Sequence, residues 1–237
     1  MQTLNAVVTE IKPLTEFVYH VTLKPEQPAQ FLAGQYLQLV LGEKDKRAFS
    51  IASKPSLQNS LELHIGAGAA DSYAMQALEH IKQAHANNQS VLLEVGLGSA
   101  HLQQSSPMPI VLLAGGTGFS YVKSIAEQLE ESGFDQPVLL YWGVKVESAL
   151  YAKAEMEAWA KRNAKFQFIP VIETPEGDWS GHTGFVHKAV MQDIVSLEPY
   201  QVYMAGRFDM IGIVRDDFIE HGAVRENMHA DAFAFIK

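Results

Sequence analysis

Ile110-Val111-Leu112-Leu113-Ala114-Gly115-Gly116-Thr117-Gly118 decides the architecture of this chain. Five consecutive apolar residues suit a strand covered on both faces, as in a parallel sheet. The glycines that follow let the backbone turn tightly and approach a ligand at the strand's carboxyl end. A helical stretch, 121–131, begins just beyond them, and a helix N-terminus offers N–H groups to negative charge. The pyrophosphate of a dinucleotide fits that description. Taken alone, the motif also reads as a plain strand-to-helix turn with no ligand.

Downstream, the same rhythm of apolar strand, turn and amphipathic helix repeats. Strands are predicted at 110–114, 138–142, 166–171 and 202–205, with helices at 121–131, 148–161, 184–194 and 209–221. Ala232-Phe233-Ala234-Phe235-Ile236 alternates small and aromatic residues and reads as a last edge strand. Upstream, short alternating stretches at 4–11, 17–23, 36–41, 48–52, 61–65 and 91–95, punctuated by Pro and Gly, predict a small antiparallel barrel. One helix, 72–82, places Tyr73, Ala74, Ala77, Leu78 and Ile81 on a shared face and closes one end of it. Gln103-Gln104-Ser105-Ser106-Pro107-Met108-Pro109 reads as the link, which divides the chain into 1–102 and 103–237. The expected fold is therefore a two-domain chain, an N-terminal antiparallel β-barrel followed by an α/β parallel-sheet nucleotide-binding domain.

Composition narrows the function. With 237 residues, 47% hydrophobic and 19% charged, the chain can build a substantial core. A net charge of -9 without a basic cluster disfavours nucleic acid and anionic membrane surfaces. No secretory signal and no bilayer-spanning apolar run is read, so a cytoplasmic location is expected. Zero Cys excludes disulfides, thiolate nucleophiles and cysteine-ligated iron–sulfur clusters. Among the nine His, the pairs His80/His85 and His182/His187 are five apart rather than in HExxH spacing, so they read as surface residues and no metal is expected. Two decoys fall away. Gly66-Ala67-Gly68-Ala69-Ala70-Asp71 begins like a dinucleotide fingerprint but ends in Asp71 outside any βαβ unit. Lys123-Ser124 lacks the Gly that a Walker loop needs before the Lys, since Val122 stands there.

Arg47-Ala48-Phe49-Ser50-Ile51-Ala52-Ser53 lies on a predicted strand, so alternation aims Arg47 and Phe49 to one side and Ala48 and Ser50 to the other. The residue types suit a flavin: Arg47 for phosphate or ribityl oxygens, Phe49 for ring or ribityl contact, Ser50 for a hydrogen bond near N5. Periodicity alone favours an ordinary barrel strand.

The order of Arg47-x-Phe49-Ser50, Gly115-Gly116-Thr117-Gly118, Tyr141-Trp142-Gly143 and Ala205-Gly206-Arg207-Phe208-Asp209-Met210 resembles the bacterial NAD(P)H-flavin oxidoreductases within the ferredoxin-reductase superfamily. Phe31-x-Ala33-Gly34-Gln35-Tyr36, Leu61-Glu62-Leu63-His64-Ile65-Gly66 and Asp231 to Ile236 extend the resemblance over essentially the whole chain. It implies a flavin-binding barrel, a nicotinamide-binding domain and an active site in the cleft between them. Arg47, Ala48, Phe49 and Ser50, with His64, Ile65, Gly66 and Ala67, match the flavin side; Gly115, Gly116, Thr117 and Gly118, with Trp142, Lys145, Gly206 and Arg207, match the dinucleotide side.

The implied reaction passes a hydride from NADH or NADPH to FMN, riboflavin or FAD, with Ser50 as the catalytic donor near N5. Free flavin is the expected substrate, and reduced flavin would serve an acceptor such as a luciferase, a monooxygenase or ferric iron. A reductase holding its flavin tightly for a protein partner and a noncatalytic flavin-binding protein are the alternatives. The sequence also departs from its branch. Ala48 replaces a common Pro and restores an N–H beside the flavin site. Val144-Lys145 replaces Gly-Arg, giving a point donor instead of a fork. His229-Ala230 precedes Asp231 where Phe-Gly is usual.

Overall fold

Alternation in the first strand builds the first core: Leu4, Ala6 and Val8 are buried while their neighbours Asn5 and Val7 are exposed. The computed structural model describes residues 1–67, 72–103 and 106–236. By their contacts the residues form two units, Met1–Leu102 with Lys123–Ser132, and Gln103–Val122 with Gly133–Lys237.

The first unit contains β1 (Gln2–Pro13), β2 (Val18–Pro25), β3 (Tyr36–Gly42), β4 (Asp45–Ser50), β5 (Leu61–Gly66), α1 (Tyr73–Ala86) and β6 (Ser90–Leu97). The strands form one antiparallel sheet in the order β4-β3-β6-β1-β2-β5. It curls into a half-barrel. The two edges share no ladder, but just past β4 the Ala52 N–H donates to the Glu62 carbonyl in β5 at 2.8 Å, and the Glu62 N–H donates to Ser53 Oγ at 3.2 Å. Leu37, Leu39, Leu61, Leu63, Ile65, Leu93 and Val95 fill the interior, each adding about 1.5–3 kcal/mol by leaving water. Helix α1 lays Ala77, Leu78 and Ile81 onto the same core. Ser72 starts it, its Oγ accepting the Met75 N–H at 3.1 Å.

The second unit's elements are β7 (Ile110–Gly115), α2 (Phe119–Ser132, whose last ten residues count with the first unit), β8 (Val138–Val144), α3 (Lys153–Arg162), β9 (Phe166–Ile172), β10 (His182–Thr183), α4 (Val186–Asp193), β11 (Gln201–Ala205), α5 (Phe208–Glu220) and β12 (Met228–His229). All pairings are parallel, in the order β10-β9-β8-β7-β11-β12. The chain builds outward from β7 through β8 and β9, then returns to the other side of β7 as β11. That reversal makes the carboxyl ends of β7 and β11 a topological switch point, where open parallel sheets place their ligands.

Three expectations are corrected. The segment 232–236 is not an edge strand: Asp231–Ala234 form a 3₁₀ turn, and β12 takes the edge beside β11. The Phe233 N–H donates to Ala230 and the Phe235 N–H to Ala232, so local bonds use the groups a ladder would need. Helix α3 starts at Lys153 rather than 148, because Glu147–Ala149 form a separate 3₁₀ turn that ends where Leu150 leaves helical geometry. His187 is buried, not superficial, with Nε2 3.1 Å from Asp217 Oδ2. Among the described residues no helix is long and apolar enough to cross a membrane.

Candidate active site

Among the residues that the resemblance assigns to the dinucleotide, β7 delivers Gly115 to the switch point, and Gly116–Gly118 form a 3₁₀ turn leading into α2. Gly116 has φ +54°, the left-handed region that favours glycine, and a Cβ there would meet only open space. Gly118 is different: a Cβ would lie 2.4 Å from the Ala205 carbonyl oxygen. The backbones after β7 and β11 thus touch at this point, and only glycine permits it. No side chain caps the start of α2, so its first turn keeps the character of an anion cradle.

Trp142, at the end of β8, is wholly buried. Its Nε1–H donates to the Gly116 carbonyl at 2.9 Å, its face stacks on Phe119 at 3.9 Å, and Tyr151 meets it edge-on at 4.9 Å. An indole so enclosed braces the turn at Gly116 and presents no ring face to solvent. Gly206 follows β11, with its Cα 3.8 Å from where a Gly115 Cβ would stand. Arg207 is exposed and forked onto Asp209, at 2.7 Å through its terminal nitrogen. Lys145 is exposed beyond β8, and its carbonyl accepts the Thr174 N–H at 2.8 Å.

The residues that the resemblance assigns to the flavin begin at the outer edge of β4. Ladder alternation sends the odd residues to β3, as the Ile51 N–H to Gln35 carbonyl bond shows, and the even residues outward. The outward N–H of Ala48 goes to the Tyr73 hydroxyl and that of Ala52 to Glu62. Ser50 stands between these two occupied positions, where a flat ring could hydrogen-bond to the edge. Arg47 binds Asp45 through two bonds of 2.5 and 2.9 Å, reaches Gln76 Oε1 at 2.9 Å and lies 4.6 Å from the Tyr73 ring centroid. Phe49 packs against the barrel core, 6.2 Å from Tyr73. Ile65 is in that core, Gly66 pairs with Val18, and the Ala67 N–H donates to Phe17 at 2.7 Å. The rest of the glycine-rich stretch, 68–71, lies outside the described residues.

His64 points to the opposite face of β5 from the core, into a polar layer that sequence reading missed. It stands across from His20 in β2, with ring centroids 5.9 Å apart. Lys123 Nζ lies 3.2 Å from Glu62 Oε2 and also pairs with Glu127; the latter accepts the Lys54 N–H, and Ser124 Oγ donates to the Ser53 carbonyl at 2.8 Å. Ligand atoms of His20, Glu62 and His64 fall within 4.8 Å of one another, the spacing of a metal site. The Lys123 ammonium already supplies positive charge there, and an ion would have to sit beside it.

This layer makes the fold acid-sensitive. Burial, then the nearby Lys123 and His20, pulls His64 down to about 3 from the usual 6.5. The neighbouring His20, its Nε2 3.9 Å from the carboxylate, and the charge of Lys123 hold Glu62 at about 2 against burial, below the usual 4.5. Both folded-state values lie below the unfolded ones, so the unfolded chain binds more protons and stability rises with pH. The His64 contribution is complete above its unfolded value of 6.5 and is lost as pH falls toward 3, at about 1.4 kcal/mol per pH unit. That of Glu62 is lost between 4.5 and about 2. Urea unfolding of His64→Gln should show a shallower loss than the parent between pH 6.5 and 4.5; parallel curves would exclude His64 as the group responsible.

A half-barrel with an open edge at Ser50, and a parallel sheet with a glycine turn at its switch point, define a ferredoxin-reductase-like chain. Ferredoxin NADP+ reductase from Neisseria gonorrhoeae has that fold, with TM-score 0.75 and 22% identity over 94% of this chain and 92% of its own. Residues 112–216 match the family described as the oxidoreductase NAD-binding domain. Over the full length, the chain is 43% identical to the NAD(P)H-flavin reductase of Vibrio harveyi, covering 99% of this chain and all of that protein. It is 44% identical to the NAD(P)H-flavin reductase of Aliivibrio fischeri, covering 98% and 99%. The chain belongs to the NAD(P)H-flavin reductase family.

Proposed function

We propose that this chain catalyses hydride transfer from NADH or NADPH to a flavin that binds as a substrate and leaves reduced. The full-length identity to NAD(P)H-flavin reductases, covering both units, carries the reading. Nicotinamide supplies a hydride at C4 and flavin accepts it at N5, which requires the two atoms within about 3–3.5 Å of each other. The chain's own residues then have to bind, orient and exclude water, since no protein nucleophile is called for.

The turn 115–118 would take the dinucleotide pyrophosphate on backbone N–H groups. The β4 edge would take the flavin, with the Ser50 hydroxyl donating near N5. Arg47, already committed to Asp45 and Gln76, would meet the ribityl chain through what remains of its fork. Reduced flavin released in the cytoplasm would then pass to a flavin-dependent oxygenase or luciferase, or to ferric iron.

Ser50→Ala should remove about 1–1.5 kcal/mol from the transition state, roughly a tenfold loss of kcat/KM for flavin, with the fold intact. Unaltered kcat/KM would take Ser50 out of the reaction. Flavin content decides between substrate and prosthetic group. Protein that is colourless after gel filtration and turns over many equivalents of added flavin agrees with the proposal; a yellow protein with one tightly held flavin favours a reductase serving a protein partner.

A further inference from the structure

Tyr73, in the first turn of α1, is half exposed yet bound on several sides. Its hydroxyl accepts the outward N–H of Ala48 and donates to the outward carbonyl of Lys46 at 3.3 Å. Those are consecutive outward groups on the β4 edge, immediately before Ser50. The Arg47 guanidinium lies over the Tyr73 ring, and Gln76, three residues further along α1, accepts from the same guanidinium. Helix α1 thus grips the edge at three neighbouring residues.

The other end of the opening is fixed independently, by the Ala52 to Glu62 bond. Nothing in ordinary helix packing requires a phenol hydroxyl to sit on the outer edge of a strand, because α1 already meets the barrel through Ala77, Leu78 and Ile81.

We propose that Tyr73 is a positioning residue for the flavin: it clamps Lys46 and Ala48 and so fixes the β4 edge at Ser50. The proposal rests on the reading that flavin binds at that edge. It depends on this chain's own Ala48, since a proline there would offer no N–H to the hydroxyl. Without the phenol, the Ala48 N–H loses its partner and this stretch of the edge is no longer tied to α1 through it.

A double-mutant cycle tests it. Tyr73→Phe should raise the KM for flavin about tenfold, the cost of leaving one backbone donor without its bond, and leave the KM for reduced nicotinamide unchanged. Ala48→Pro removes the same donor at an edge position that tolerates proline. In that background Tyr73→Phe should change the flavin KM by less than about twofold. An equal rise in both backgrounds, an unchanged flavin KM, or a parallel rise in both KM values would overturn the clamp.

Quenching of riboflavin fluorescence reads the same two factors without turnover. A chain that shows this binding pattern but oxidises no reduced nicotinamide keeps the clamp and loses the reductase reading. One that turns over flavin normally without the pattern loses only the clamp.

Discussion

Lys123→Met should cost about 3–5 kcal/mol of folding stability at neutral pH, the largest effect expected from any single substitution discussed for this chain. The ammonium is almost fully enclosed and faces two carboxylates, Glu62 and Glu127. Met keeps most of the packing but leaves both charges in a layer with little water. The deficit should depend on pH in a definite direction. Lys123 helps to keep Glu62 ionised down to about 2, so in the variant the carboxyl takes a proton at higher pH. The gap to the parent protein is then widest near neutrality and narrows as pH falls below about 5. Adding Glu62→Leu should recover part of the loss, because it removes one of the two carboxylates left without their cation, while Glu127 remains. Urea midpoints at the two pH values measure all of this; a deficit under 1 kcal/mol would mean that the layer is hydrated and its charges independent.

Gly118→Ala should lower kcat/KM for reduced nicotinamide by about ten- to a hundredfold while leaving the KM for flavin unchanged. A Cβ at Gly118 meets backbone, the Ala205 carbonyl at 2.4 Å and the Gly206 nitrogen at 3.0 Å, which cannot swing away as a side chain can. Relief requires β11 and the start of α2 to part, at about 1–3 kcal/mol. The carboxyl ends of β7 and β11 form the switch point, so the displacement falls on the proposed pyrophosphate cradle. Gly116→Ala provides the contrast. There is room for its Cβ, and its cost comes only from φ +54°, typically about 1 kcal/mol. If the two variants had equal effects on the nicotinamide KM, contact between the two turns would not be what shapes the site.

Much of the architecture was legible because it depends on local pattern. The run 110–114 is apolar throughout, and the strand is buried on both faces. The alternation of β1 matches its burial residue by residue until the register shifts between Val8 and Glu10. The end of the chain was misread for the same reason that the rest succeeded. Ala232 to Ile236 alternates like a strand, but five residues with period two do not show that their N–H groups are already spent locally. Phe235 stacks on Phe208 at 5.4 Å and Phe233 lies under Arg225, so the aromatics serve separate neighbours and not one sheet face.

The glycine turn at Gly115 to Gly118 was legible because backbone conformation dictates it, whereas side chains whose partners come from distant segments were not. Lys123 reads in sequence only as the lysine of a failed Walker motif. Its role follows from the β2–β5 register, which sets His20 opposite His64, and from the turn of α2 that faces Glu62. Tyr73 reads as one more residue on a helix face. That its hydroxyl ends on the β4 edge depends on where α1 lands on the barrel, which no spacing records.

The central claim is one hydride moved from nicotinamide to flavin. Anaerobic mixing of the purified chain with NADH or NADPH and excess riboflavin or FMN tests it directly, by following the near-ultraviolet band of the reduced nicotinamide and the visible band of the flavin together. The account predicts that both decay at one rate and in equal molar amounts, and that deuterium at the transferred C4 position slows them. Loss of neither band with any pairing of nicotinamide and flavin would contradict it.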